Sequence, residues 1–227
     1  MDREIVITGD GSSTIHLPEW DEQYHSKHGA IQEAYHVFIK HGLYNYNEYR
    51  GKTNKAINIL EIGFGTGLNT FITLLEAKKL NLNIGYVGVD GYPVSMEEIN
   101  QLNYPKQLNE EKNEELFKKL HEIPWDEKHQ VSDHFLLTKK NLFFSEIKDE
   151  NVYNLIYFDA FGARVQPELW TEAIFQKMYN ALQSDGVLVT YSAKGSVRRA
   201  LQAVGFTVER LPGPPGKREM LRACKEL

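Results

Sequence analysis

Apolar positions in the middle of the chain fall into two rhythms that take turns. Short apolar runs at 57–62 (INILEI), 85–90 (GYVGVD), 135–138, 153–159 (YNLIYFD) and 186–191 predict strands. Between them the spacing lengthens to that of a helix, as with Leu68, Phe71, Ile72 and Leu75 in the stretch Leu68 to Leu80. Further helices are expected at about 95–102, at 167–182 with proline in the first turn, and at 196–203. A last pair of strands is expected near 206–211 and 219–223. Strands alternating with helices imply an α/β fold with a parallel, doubly wound, Rossmann-like sheet, and the closing pair implies an antiparallel hairpin at one edge.

Two segments fall outside the alternation. Residues 1–50 are rich in His, Tyr and Gly with one expected helix, at about 31–41, and are read as an N-terminal extension on a core spanning 51–227. Residues from about 104 to 132 form a charged helical insertion, whose run NEEKNEELFKKLHEI reads as a solvated helix face. The 227 residues, 41% of them hydrophobic, suffice to bury one full core. No window approaches the ~18 consecutive apolar residues of a membrane span, and the start of the chain lacks the basic-then-apolar order of a signal peptide. The single cysteine, Cys224, can form no internal disulfide, so a reducing cytoplasm is the expected location. The net charge of −5 is unevenly spread: from Lys194 onward there are eight Lys and Arg against three acids.

Chemistry first enters at NILEIGFGTGLNT, which sets Gly63, Gly65 and Gly67 directly after a predicted strand. A phosphate loop of the GxxxxGK[ST] type is absent, and a dinucleotide GxGxxG pattern would need glycine at Leu68. A glycine cluster can also serve only to make a tight strand-to-helix turn. Glu61, two residues before Gly63, makes the pattern ExGxGxG, which resembles motif I of class I S-adenosylmethionine-dependent methyltransferases. A carboxylate at the end of the second strand should then accept from both ribose hydroxyls, and Asp90 stands there. Ligands bind beyond the carboxyl ends of strands in open α/β sheets, so the acid in YFDAFGARVQPELW, Asp159, is expected at the acceptor site. Its bland alternative is a turn or cap carboxylate.

Four stretches together carry a more specific resemblance: DAF followed by PELWTEAIF, LEIGFGTGLNT, the N-terminal YHSKHGAIQEAYHVFI, and VRRALQAVGFTVERLPGPPGKREML. They resemble the methyltransferase domain of the MnmC family of tRNA-modifying enzymes, from about Gly11 to the C-terminus, in a form without the FAD-dependent oxidase half. The resemblance implies S-adenosylmethionine as cofactor and tRNA as partner. One methyl would pass to the 5-aminomethyl group of a wobble uridine, 2-thiolated or not, in the anticodon loop. It assigns Glu61, Gly63, Gly65, Gly67 and Asn69 to the cofactor loop, and Asp159 and Phe161 to the active-site motif. Many relatives carry Gly-Asp after the third strand, on the adenine side; here the pair is Lys140-Asn141, so at Asn141 an amide would replace a carboxylate.

An amine accepts a methyl only through an unprotonated lone pair, so Asp159 is expected to orient the nitrogen and take its proton. Phe161 is expected to stack on the splayed base, with Tyr191 and Trp170 as alternatives that equally suit a core role. Lys194, Arg198, Arg199, Lys217 and Arg218 are expected phosphate contacts, joined by His25, Lys27 and His28 from the other side, though each suits a solvated surface equally. His25-x-x-His28 lacks cysteine partners and an HExxH context, so no metal is expected. Two other functions compete: a small-molecule amine alkyltransferase like the aminopropyltransferases, and a non-catalytic RNA-binding module.

Overall fold

The computed structural model describes residues 2–49 and 56–226. The expected boundary between extension and core, at residues 50 and 51, lies outside the described residues. Eleven strands are described: β1 (Glu4–Ile7), β2 (Ser13–Leu17), β3 (Glu22–Gln23), β4 (Ile57–Ile62), β5 (Ile84–Val89), β6 (Lys128–Ser132), β7 (Phe135–Lys140), β8 (Tyr153–Phe158), β9 (Leu182–Thr190), β10 (Thr207–Pro212) and β11 (Glu219–Cys224). The first three form a small antiparallel sheet, and the rest form an eight-stranded sheet in the order β10-β11-β9-β8-β4-β5-β7-β6. The five central strands run parallel, and β6, β11 and β10 add antiparallel edges. The α/β architecture and its closing hairpin are therefore those implied by the alternation.

Helices cover both faces. They are α1 (Ala30–Ala34), α2 (Asn45–Tyr49), α3 (Leu68–Leu80), α4 (Met96–Ile99), α5 (Tyr104–Gln107), α6 (Glu114–Glu122), α7 (Glu172–Ala181) and α8 (Gly195–Ala203). A π-helical stretch, Tyr35–Tyr44, joins α1 to α2. Strand periodicity explains why LIYF, residues 155–158, is an unbroken apolar run: successive residues of β8 feed opposite cores. Leu155 and Tyr157 pack under α3 and the π-helical stretch with Phe38 and Phe71, whereas Ile156 and Phe158 pack with Trp170, Phe175 and Met178 of the α7 side. Gly42 lets the π-helical stretch lie flat on the sheet, since a Cβ there would sit 3.2 Å from both Tyr157 and Val189.

The expectations for the two extra segments need correction. The extension carries the sheet β1-β2-β3 as well as a helix, and the helical run continues beyond His41 to Tyr49. Strands such as STIHL pass unseen because polar Ser13 and Thr14 are buried by tertiary contacts: the Ser13 N–H donates to Asn103 Oδ1 at 2.8 Å. The insertion is helical only as far as Glu122; its last residues form β6, paired antiparallel with β7. Likewise the helix expected to run to Leu182 ends at Ala181, and β9 begins at once.

Phe158 is fully buried, with its ring centroid 5.0 Å from Trp170 and 5.1 Å from Phe175. Phe158→Ala should cost about 3–5 kcal/mol through lost burial and an unfilled cavity. Urea unfolding should show this as a lower midpoint at unchanged slope.

Candidate active site

The ends of β4, β5 and β8 lie level with one another. The Gly63 and Phe64 N–H groups both donate to the Val89 carbonyl at 3.0 Å, and the Asp159 N–H donates to the Ile62 carbonyl at 2.9 Å. This is the reversal point of the strand order, where a doubly wound sheet opens a crevice. A cavity of about 1430 Å³ opens there. That exceeds the roughly 300–1,000 Å³ of an ordinary small-molecule site and leaves room for a cofactor and an acceptor group together.

The glycine turn forms the cavity floor. Gly63 has φ +90° and runs so close to β8 that a Cβ would meet the Asp159 carbonyl oxygen at 2.7 Å. Gly67, at φ +69°, starts α3, with His121 of α6 packed against it. Both positions require glycine for backbone conformation and for space. The turn aims the N-terminus of α3 at the cavity, a favourable end for a ligand carboxylate.

Asp90 follows β5 and lines the cavity. Its Oδ2 accepts the Gly65 N–H and its Oδ1 the Tyr92 N–H, each at 2.8 Å. Each oxygen keeps a lone pair for a diol, so the acid expected to hold ribose fits that task. Burial raises its pKa, against the lowering effect of those two amides. Beside it Tyr92 and Phe143 are 67% and 52% exposed with ring centroids 5.7 Å apart, open enough to take the flat face of a base. Sequence reasoning missed both, because an aromatic in a loop carries no periodic signal.

Asn141 sits away from the cavity, whereas Glu61 is part of its lining. Asn141 is exposed and does not line the cavity; its Nδ2 donates to the Asp90 carbonyl at 3.2 Å, so it braces the acid's backbone. Glu61 is 1% exposed, because strand alternation sends it with Ile59 under α3, where it accepts from Thr70 Oγ1 at 2.9 Å. Burial pushes its carboxyl up to about 8, aided by the nearby Asp159. It ties β4 to α3 beneath the cavity.

Asp159 lies at the inner end of the acceptor side. Asn69 of α3 donates from Nδ2 to Asp159 Oδ2 at 2.8 Å, while Asn69 Oδ1 is buried without a partner, as an atom awaiting a ligand donor would be. Burial pushes the Asp159 carboxyl up to about 7, with the Glu33 carboxylate adding to the rise and the Asn69 bond and Lys217 opposing it. Phe161 sits edge-on to Tyr24 and Trp20, with centroids 4.9 and 5.8 Å apart, and its carbonyl accepts from Trp170 Nε1 at 2.7 Å. Tyr191 donates its hydroxyl to the Ala160 carbonyl at 2.8 Å. Trp20, Tyr24 and Glu33 come from the extension, and no periodicity or motif spacing marked them as site residues, since only folding brings them to β8.

The expected phosphate contacts divide. Lys194 is exposed at the cavity rim, but Arg198, Arg199 and Arg218 do not line the cavity. Lys217 lies inside, paired with Glu33. His25 is held in the wall between Thr14 Oγ1 at 3.1 Å and Thr66 Oγ1 at 3.3 Å, and burial pushes it down to about 4, so it is neutral and offers phosphate no charge. Among the described residues no cluster of three or more His, Cys, Asp or Glu could hold a metal, and no helix is long and apolar enough to cross a membrane.

A doubly wound sheet with this glycine turn and with acids at the ends of β5 and β8 defines the class I methyltransferase fold with a site for S-adenosylmethionine. Residues 106–226 match the profile of the S-adenosyl-L-methionine-dependent methyltransferases, and the chain belongs to that family. It is 30% identical over 223 residues to the tRNA 5-methylaminomethyl-2-thiouridine biosynthesis bifunctional protein MnmC of Leptospira interrogans, a match covering 95% of this chain and 34% of the relative. The chain thus spans about a third of the length of the curated relatives it matches. The crystal structure of MNMC2 from Aquifex aeolicus superposes with a TM-score of 0.78 at 26% identity, over 98% of this chain and 69% of that one. Spermidine synthase from Thermotoga maritima shares the fold alone, with a TM-score of 0.51 at 13% identity over 94% of this chain and 68% of that one.

Two outcomes follow from the site. Asp90→Ala should weaken S-adenosylmethionine binding by about 1–3 kcal/mol in calorimetric titration, the cost of buried hydroxyls left unpaired. Asp159 binds its proton more tightly folded than unfolded, so its charging subtracts stability as pH rises from about 4 through about 7. Asp159→Asn removes that cost. Its stability advantage over wild type should be absent below about pH 4, grow to about pH 7 and then level off, as read by urea midpoints across pH.

Proposed function

We propose that the chain methylates the 5-aminomethyl group of the wobble uridine, 2-thiolated or not, in the anticodon loop of tRNA, acting in the cytoplasm and giving 5-methylaminomethyluridine. The observation that carries the reading is Asp159, a carboxyl poised near neutrality at the inner end of a cavity shared with the cofactor turn. An ammonium entering there finds a group able to orient it and to take its proton. The MnmC relatives supply the class of substrate.

When bound, S-adenosylmethionine supplies an electrophilic methyl on a sulfonium centre and leaves as a neutral thioether. The residues of this chain do the remainder. Gly63, Gly65, Gly67 and Asp90 hold the nucleoside end, with Tyr92 and Phe143 against the base. Asn69 fixes the Asp159 carboxyl, so the acceptor nitrogen is oriented by a group that cannot swing away. Asp159 takes one proton from the ammonium, freeing the lone pair that forms the new N–C bond. Phe161, Tyr24 and Trp20 offer ring surface for a splayed uracil. Lys194, Arg198, Arg199 and Arg218 remain candidates for the tRNA backbone outside the cavity.

The test is methylation of tRNA carrying 5-aminomethyluridine, with labelled cofactor and nucleoside analysis of the digest. Labelled 5-methylaminomethyluridine supports the reading; label in a polyamine and none in tRNA would sink it. Within that assay, Asp159→Asn should keep cofactor affinity and lower the methylation rate by ~10²-fold or more, with partial recovery at high pH. Arg198→Ala with Arg199→Ala should raise the tRNA KM and flatten its salt dependence, while cofactor binding stays as in wild type.

A further inference from the structure

Three charges from distant parts of the chain meet in the acceptor half of the cavity. Asp159 follows β8, Glu33 lies on α1, and Lys217 lies in the turn between β10 and β11. The Lys217 ammonium is paired with Glu33 Oε1 and sits 3.9 Å from the centroid of the Tyr191 ring. Glu33 is 6% exposed, and its Oε2 accepts the Ser26 N–H at 2.9 Å. The turn is held in place as well: Gly216 packs on the His28 ring with no room for a Cβ, and the Gly213 N–H donates to the Arg218 carbonyl at 3.1 Å. Lys217 is thus fixed between a buried carboxylate and an aromatic face, a poor arrangement for a solvated phosphate contact.

The other ionisable groups facing this trio are spoken for. Glu22 of β3 is paired with Arg164 at 3.2 Å, Glu61 of β4 beside Asp159 accepts from Thr70 Oγ1 at 2.9 Å, and the Tyr191 hydroxyl is bound to the Ala160 carbonyl. His25 is held neutral in the wall, the His28 ring lies against Gly216, and Lys194 is exposed at the rim. What reaches the acceptor position is therefore Asp159, Glu33 and Lys217.

We propose that Lys217 is a positioning residue that sets the charge of the acceptor site, cancelling Glu33 so that Asp159 alone faces the substrate amine as a net carboxylate. The inference rests on the reading of the protein as an amine methyltransferase. A single carboxylate attracts the substrate ammonium yet can relieve it of a proton: the N–H bond breaks and the proton passes to Asp159. The freed lone pair then forms the N–C bond as the C–S bond of the cofactor breaks, its electron pair going to sulfur. Two uncancelled carboxylates would hold the ammonium in its charged, unreactive form. An opposite charge within about 4–6 Å moves a pKa by about 1–3 units, so cancelling or uncancelling Glu33 decides how much amine is free at neutral pH.

The test is the pH dependence of the single-turnover methylation rate at saturating aminomethyluridine tRNA and S-adenosylmethionine. Lys217→Met should move the acidic limb to higher pH by about one unit or more, making the variant about 10-fold slower near neutrality and recovering at high pH. Lys217→Arg keeps the charge and should keep the limb. Glu33→Gln alone should move it to lower pH, and Glu33→Gln with Lys217→Met should bring it back toward wild type. S-adenosylhomocysteine affinity reports whether each variant is folded, and Glu33→Gln decides the matter even if Lys217→Met is not. Coincident limbs, with Lys217→Met raising only the tRNA KM and flattening its salt dependence, would make Lys217 a phosphate contact and overturn the proposal. So would a double variant whose limb stays with that of Lys217→Met. A wild-type protein that methylates no aminomethyluridine at any pH defeats the underlying reading, whereas an active wild type with unmoved limbs defeats only the role of Lys217.

Discussion

The cavity depends on a missing side chain. At Gly63 the chain leaves β4 and turns past the end of β8 so closely that any Cβ would press on the Asp159 carbonyl oxygen. That close passage keeps the ends of β4 and β8 level, and the shared Val89 carbonyl does the same for β4 and β5. Three strand ends fixed at one height put the glycine turn, Asp90 and Asp159 around one space. A side chain at Gly63 would push β8 away and separate the two halves of the site before any contact to a ligand was touched.

Electrostatics then divides the cavity into two ends with different tasks. At the cofactor end Asp90 is anchored by two backbone amides, which favour its charged form against the burial that opposes it. At the acceptor end Asp159 has one amide donor, Asn69, and a second carboxylate nearby, so its proton is held near neutral pH. The same residue type thus meets two environments, one that favours its charge and one that opposes it. Glu61 lines the cavity between the two ends, and its hydrogen bond from Thr70 locks the strand to the helix whose N-terminus faces both.

The extra segments complete the acceptor end. The extension contributes Trp20, Tyr24 and Glu33, and Arg164 holds it to the loop after β8 through the carbonyls of Trp20 and Asp21. The hairpin β10-β11 reaches the extension from the other edge of the sheet, where the Pro212 carbonyl meets His36 at 2.8 Å and Gly216 packs on His28. The two ends of the chain therefore meet over the acceptor, which explains how a turn near the C-terminus can carry a charge next to Asp159. The insertion serves the cofactor side: Tyr104 donates its hydroxyl to Thr66 of the glycine turn at 3.1 Å, and His121 packs on Gly67.

The sequence by itself determined the α/β architecture, because strand and helix periods are local and both leave their mark on neighbouring residues. It also located the glycine turn, Asp90 and Asp159, since each lies at the end of an apolar run and strand ends in such sheets converge. It did not show the sheet β1-β2-β3, whose buried Ser13 and Thr14 owe their burial to distant partners. It could not separate Lys217 from Lys194 or Arg218, since a basic residue in a turn looks the same whether it faces water or a buried carboxylate. Asn141 read as an adenine contact until the folded chain turned it toward the Asp90 carbonyl, and Glu61 lines the cavity while its carboxyl is tied to Thr70 of α3. Side-chain direction at a strand end, and the meeting of residues nearly two hundred positions apart, are set by packing between elements, and only the tertiary structure decides them.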